Sequence, residues 1–278
     1  MRVTIFGASG LLGQALMREW SGDSVTGLGV EDGNVRDKDL VAEIVRKQQP
    51  ACIVLAAAYT DVDGCEANPE LAFAVNRDGA LNVADAARQA GAKLLFLSSD
   101  YVFEGTKTTP YETDDARNPQ SVYGRSKAEA EVRLLEILPG CCVLRTAWMF
   151  GMGGKCFPDT ILKLAASRPA IDVVNDQRGC PTYSVDLARA IIQLCRKGTS
   201  GIVHVTNAGD CSWFEFAREI VKGAGLPTEV RPVSSAQIAR RAPRPAYSVL
   251  SPSSSQRVGI VMPTWQDALR RYVEERKD

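Results

Sequence analysis

The feature that most constrains the fold is a glycine-rich turn at residues 7–13. The run RVTIF (2–6) is a short β-rich segment that leads directly into GASGLLG. Gly7, Gly10 and Gly13 therefore fall between a strand and a helix expected over 11–20. Each glycine answers a separate demand: a tight turn, close approach of backbone to a pyrophosphate, and close packing of helix on strand. The helix N-terminus adds free N–H groups and the positive end of the peptide dipole. Three glycines at this spacing also serve as a plain structural turn, but the flanking strand and helix are the context that dinucleotide binding requires. Ser9, Leu11 and Leu12 complete the candidate cofactor loop.

The alternation continues along the chain. Strands are expected at 24–28, 51–58, 93–99 and 141–150. Helical patterns lie between them, from Asp37 as N-cap to Pro50, over 69–90 with Gly91 as C-cap, and over 121–137. Strand and helix in turn argue for a parallel sheet covered by helices on both faces. After Gly151 the pattern loosens. It holds two more strand candidates, IDVVND and GIVHVTN, several helices and the stretch RRAPRPAYSVLSPSSS. The expected organisation is a dinucleotide-binding domain at 1–150 and a smaller substrate region at 151–278, some segments of which could return to the main sheet.

Composition narrows the partners. The 278 residues carry 33 Lys and Arg against 33 Asp and Glu, which leaves no electrostatic footprint for nucleic acid or anionic lipid. No apolar run reaches the ~18 residues of a membrane span, and the N-terminus lacks a signal-peptide layout, so a cytoplasmic location is expected. The eight cysteines form no C-x-x-C pair and sit in apolar stretches, as buried thiols do. The single histidine, His204, alternates within an apolar strand and is read as a core or sheet-edge residue. Acid–base chemistry therefore falls to Tyr, Lys, Asp or Glu.

YGRSK supplies the pair. Tyr123 and Lys127 are four apart, so on a helix they share a face. An ammonium there is expected to favour the phenolate and to lower the tyrosine pKa from its ordinary ~10. The fourth strand ends in LSSDYVF and brings Ser98, Ser99 and Asp100 to the carboxyl edge of the sheet, where open α/β sheets bind ligands. For the cofactor, an acidic residue is expected about 20 positions beyond the glycine loop. Glu31 and Asp32 follow the second strand there, and no Lys or Arg occurs between Arg18 and Arg36, which tilts the expectation toward NADH and leaves NADPH open.

GASGLLG, AAAYTDVD, LSSDYVFEGT, YGRSK, LRTAWMFG, NDQRGCPT and RPAYSVLS together resemble the dTDP-4-dehydrorhamnose reductases, extended members of the short-chain dehydrogenase/reductase superfamily. The resemblance runs from about Met1 to Tyr272. The glycine loop and YGRSK are generic to the superfamily, whereas SSDYVFEGT and NDQRGCPT are specific to the reductases. It implies a doubly wound parallel sheet of Rossmann type with a smaller C-terminal α/β substrate region. It also implies reduction of the 4-keto group of dTDP-4-dehydro-6-deoxy-L-mannose to dTDP-L-rhamnose by NADH or NADPH.

On that resemblance Tyr123 is the proton donor, Lys127 its electrostatic partner and ribose ligand, and Ser99 bonds the substrate and tunes the tyrosine. Asp100 and Trp148 contact the sugar, and Ala57, Ala58 and Thr60 run along the cofactor. Asn34 and Val35 face the adenosine, although the family usually has Asp where this chain has Asn34. Asn76 is the superfamily's helix asparagine or a structural amide. Some members place a metal-binding carboxylate where this chain has Ala15, so no metal is expected; a homodimer through the helices at 69–90 and 121–137 stays open. Arg178, Arg241 and Arg244 are candidates for the substrate diphosphate. Two alternatives remain beside this reading: another nucleotide-sugar reductase or epimerase, and a catalytically silent nucleotide-binding regulatory subunit.

Overall fold

The structure, a computed structural model, describes residues 1–276. Its N-terminal part alternates as the sequence pattern requires: β1 (Arg2–Phe6), α1 (Leu11–Glu19), β2 (Ser24–Leu28), α2 (Lys38–Gln48) and β3 (Cys52–Leu55). There follow α3 (Val62–Ala67), α4 (Pro69–Phe73), α5 (Gly79–Ala90), β4 (Lys93–Ser99), α6 (Val122–Ile137) and β5 (Cys142–Thr146). A sixth strand, Gly201–His204, comes back from the C-terminal region and pairs parallel with β5. Across the sheet the order is Gly201–His204, β5, β4, β3, β1, β2, and every neighbouring pair is parallel.

Both faces of this sheet are covered, which explains the near-continuous apolar runs CIVL and LLFL. On one face Leu12 and Leu16 of α1 pack with Leu187 and Ile191 of the helix Ser184–Lys197. On the other, Val41 and Val45 of α2, Val83 and Ala87 of α5 and Leu134 of α6 close the second core. Each fully buried Val or Leu contributes about 1.5–3 kcal/mol, so the sheet is a rigid platform for its carboxyl edge. The order in which strands follow one another across the sheet reverses between β1 and β3, and the crevice beyond those two strands is where such sheets bind ligands.

Several sequence expectations are sharpened. The helix expected over 69–90 is α4 and α5 joined by a π-helical turn at Ala74–Asp78. The third strand stops at Leu55, because Ala56 and Ala57 leave the ladder to approach the glycine loop. The expected strand 141–150 is broken: β5 ends at Thr146, Trp148 takes a left-handed φ of +46°, and Met149–Phe150 pairs instead with Thr182–Tyr183. Beyond it, Ala170–Val174 and Glu229–Val233 form a parallel pair. Phe150, Phe216, Trp265 and Tyr272 centre a third core, made with the helices Phe157–Ala165, Trp213–Gly223 and Trp265–Glu275. No helix among the described residues is long and apolar enough to cross a membrane.

Candidate active site

A cleft of about 340 Å³ opens beyond β1 and β3. Gly7, Ser9, Gly10, Asn34, Val35, Ala57 and Ala58 all line it. Gly7 has φ +91°, and a Cβ there would stand 2.5 Å from the Ala57 backbone nitrogen. A Cβ at Gly13 would meet the Gly7 carbonyl at 2.1 Å, whereas at Gly10 the nearest atom is 3.4 Å away. The turn and the helix packing are thus closed, and only the middle glycine faces open space. No side chain caps α1 at Gly10, and its first turn carries no acid, so its terminal amides remain available to an anion. These residues fit a dinucleotide with its pyrophosphate at the start of α1. The Leu11 and Leu12 side chains pack into cores, so these two residues could meet the cofactor only through their backbone amides at the start of α1, and exposed Thr60 does not line the cleft.

The ground for preferring NADH does not survive. Glu31 and Asp32 are exposed and are not among the cleft residues, while Arg36 is. The Arg36 backbone N–H donates to Asn34 Oδ1 at 3.2 Å, which ties the only cation of this wall to the residue expected at the adenosine. Arg36 ends the base-free stretch after Arg18, and that was the available signal.

At the next strand along, β4 delivers Ser99 and Asp100, and α6 presents Tyr123 and Lys127. Ser121 caps α6 by accepting from the Gly124 N–H at 3.1 Å, which sets where the helix starts and hence which way Tyr123 faces. Asn76 anchors the same end. Its amide nitrogen donates to Ser126 Oγ (3.0 Å) and the Tyr59 carbonyl (3.1 Å), and its Oδ1 accepts from the Tyr59 N–H (2.8 Å). It thus acts as a structural amide fastening the loop after β3 to α6. Ser99 Oγ donates to Asp100 Oδ1 at 2.9 Å and accepts from the Tyr101 N–H at 3.2 Å. The other Asp100 oxygen, Oδ2, is buried and makes no well-formed hydrogen bond, although the Ser248 hydroxyl is near enough to favour the carboxylate. Burial pushes the Asp100 carboxyl up to about 6, against the Ser248 and Ser99 hydroxyls.

One electrostatic expectation is reversed. Lys127 is 2% exposed, with Nζ 4.1 Å above the Phe96 ring centroid. Burial pulls its ammonium down to about 7, opposed by Glu131. Tyr123 is pushed up rather than down: burial dominates, the Ser99 hydroxyl opposes it, and Asp100 adds to it. Burial disfavours the charged form of both groups, and Lys127 is not among the groups that move the Tyr123 phenol in the ligand-free protein. The site therefore holds a protonated phenol, a hydroxyl and a carboxyl group, which together can hydrogen-bond a carbonyl oxygen and give it a proton.

One turn beyond Lys127, Glu131 is fully buried and accepts hydrogen bonds from three side chains. Arg145 holds it through Nε (2.9 Å) and Nη2 (2.7 Å), Arg117 through Nε (2.6 Å), and the Ser98 hydroxyl completes the set. Arg145 Nη1 lies 3.3 Å from His204 Nε2, and burial lowers the histidine to about 3. His204 is accordingly the buried sheet residue expected of it.

The sequence model of the RmlD substrate binding domain matches residues 1–277. A spore coat polysaccharide biosynthesis protein, SpsK, of Bacillus subtilis is 39% identical over 99% of this chain and 98% of its own. A dTDP-4-dehydrorhamnose reductase of Streptomyces griseus is 40% identical over 96% of this chain and 91% of its own. The solved dTDP-4-dehydrorhamnose reductase of Bacillus anthracis, in complex with NADP, is 36% identical, covers 99% of each chain and superposes with a TM-score of 0.96. The chain belongs to the RmlD family of dTDP-4-dehydrorhamnose reductases.

Like its RmlD relatives, the chain is an NAD(P)-dependent oxidoreductase by family. Trp148 stands where β5 gives way to the C-terminal region and packs both against the small core that contains Val102 and Ala128 and against the third core. It does not stand alone: Trp213, unremarked in the sequence, stacks on it. The arginines proposed for a diphosphate are distributed differently. Arg178 pairs with Asp210 (2.8 Å) and Glu215 (3.2 Å), and Arg244 with Asp63 (2.9 Å). Arg241 is exposed.

Proposed function

We propose that the protein reduces the 4-keto group of dTDP-4-dehydro-6-deoxy-L-mannose, yielding dTDP-L-rhamnose. The observation that carries the reading is a protonated Tyr123 beside Ser99, at the carboxyl edge next to a cleft built for a dinucleotide, in a chain similar to reductases of this substrate over nearly its whole length. NADPH or NADH supplies the hydride to the keto carbon. Ser99 and Tyr123 hold the oxygen on which negative charge develops, and Tyr123 gives it the proton. Lys127 bonds the cofactor ribose and regains its charge once ligand oxygens reach it. Asp100, with one oxygen free, accepts from a sugar hydroxyl, and Trp148 packs against the ring. In this reading residues 1–150 bind the cofactor and 151–278 close over the sugar nucleotide. Arg241 is the diphosphate candidate with no carboxylate partner among the described residues.

The assay is loss of reduced-nicotinamide absorbance on adding the dTDP-4-keto sugar, with UDP- and GDP-linked 4-keto sugars as controls. Oxidation with the dTDP substrate alone is expected. No oxidation with any of them, together with a stoichiometric protein partner in a pulldown, would replace the enzyme by a regulatory subunit. Two coarser parts of the proposal are a cytoplasmic location and a homodimer. The dimer is proposed through α5 and α6, whose outer faces line a groove with Val132 exposed; light scattering reads its mass.

A further inference from the structure

Trp148 has φ +46°, a region in which a bulky residue is a costly outlier. Such strain persists only where the surroundings over-determine it. Two segments distant in sequence do so. The indole of Trp213 stacks on that of Trp148, with centroids 3.4 Å apart and planes 4° from parallel. Gly179 makes the second contact: a Cβ there would stand 2.4–2.8 Å from Trp148 Cε2, Nε1 and Cζ2, so position 179 admits no side chain while the ring is present.

The two segments are fastened to each other. Residues 178–179 pair antiparallel with 211–212, and Ser212 Oγ donates to Asn175 Oδ1 at 2.7 Å. Arg178 spans to Asp210 and Glu215, and Glu215 closes a capping box with Ser212 at the start of the helix that carries Trp213. Phe157 backs Trp213 at 4.4 Å. The motif NDQRG is thus one half of a clasp whose other half is DCSWFE, and the clasp closes on Trp148. Both indoles remain half-buried, so the stack keeps an open edge. Trp148 also packs against the small core that contains Val102 and Ala128, close in sequence to Asp100 and Lys127.

From this we infer that Trp213 and Gly179 are positioning residues that hold Trp148 as a fixed wall for the hexose ring and so set affinity for the sugar nucleotide. A wall fixed before binding loses little freedom when substrate arrives. The inference rests on the proposal that Trp148 faces the sugar, and the test separates the two. Steady-state KM and kcat for the dTDP-4-keto sugar, NADPH affinity and near-ultraviolet circular dichroism are measured for W213A, W213F, G179A and W148A. Two indoles fixed against each other in an asymmetric setting contribute to near-ultraviolet dichroism, which W213A and W148A should both reduce. W213A and G179A should raise KM about tenfold, the size of one aromatic pair, with kcat and NADPH affinity held. W213F should recover most of the KM. A wild-type KM in W213A with its near-ultraviolet dichroism reduced, while W148A raises KM, overturns the inference. A wild-type KM in W148A itself overturns the placement of Trp148 against the sugar, and the inference with it.

Discussion

At the cofactor edge the chain offers backbone: Gly7 against Ala57, Gly10 open to the cleft, and the uncapped amides of α1. At the sugar edge it offers side chains held by other side chains: Trp148 between Trp213 and Gly179, and Arg178 between Asp210 and Glu215. The first arrangement needs seven consecutive residues with a particular dihedral angle and the backbone of the next strand's end at Ala57. The second needs residues from 148, 175–182 and 210–215 to meet. The backbone edge suits a ligand part common to many enzymes, a pyrophosphate; the side-chain edge can be retuned residue by residue for one sugar. One turn beyond Lys127 is a buried junction: Glu131 is held by Arg117, Arg145 and Ser98, and Arg145 in turn reaches His204 from the C-terminal region.

The largest effect is expected at that junction. Glu131→Ala leaves Arg145 buried without its carboxylate, which costs about 3–5 kcal/mol of stability. Urea unfolding reads it. A variant as stable as the parent would show that Arg145 needs no buried counter-charge and that the network merely fills space. Next comes Tyr123→Phe, expected to lower turnover by about 100-fold or more with NADPH affinity unchanged, because the proton donor is lost and the cofactor edge is untouched. A nearly intact turnover would assign the proton to another group.

Gly7→Ala tests the backbone edge directly. The new methyl group meets Ala57 at 2.5 Å in a region of φ that alanine avoids, at a cost of roughly 1–3 kcal/mol. NADPH affinity should fall about tenfold by fluorescence titration, since that cost is drawn from the loop that contacts the pyrophosphate, at 1.4 kcal/mol per decade. Equal affinity in the variant would mean the loop is pliable and the comparison drawn above too sharp.

What the sequence disclosed follows the same division. GASGLLG, YGRSK and the buried strands are local patterns with local causes, so the glycine turn, the shared face of Tyr123 and Lys127 and the parallel sheet could all be read from spacing. Trp213 could not, because its partner is 65 positions away and a lone tryptophan is most often core. Arg178 and Arg244 looked available for phosphate because sequence does not show Asp210, Glu215 and Asp63 closing on them. The pKa of Tyr123 ran opposite to expectation for a related reason. Adjacency on a helix was visible, but the burial that desolvates both members of the pair depends on the whole fold.

The smallest effect concerns Lys127 and pH. Its folded value is about 7, below the ~10.4 of the unfolded chain, so between those values the unfolded state binds the extra proton. The cost of burying the ammonium is therefore complete below pH 7 and is relieved as pH rises toward 10. Stability should climb through that window by at most about 1.4 kcal/mol per pH unit from this one group, and Lys127→Met should flatten the climb. Asp100 acts elsewhere: raised to about 6, it stabilises most below its unfolded value near 4 and loses that contribution as pH passes 6. Urea midpoints taken from pH 4 to 10 separate the two. Identical curves for the parent and the methionine variant above pH 7 would mean that the Lys127 ammonium stays hydrated in the free protein, and that it could lower the Tyr123 phenol after all.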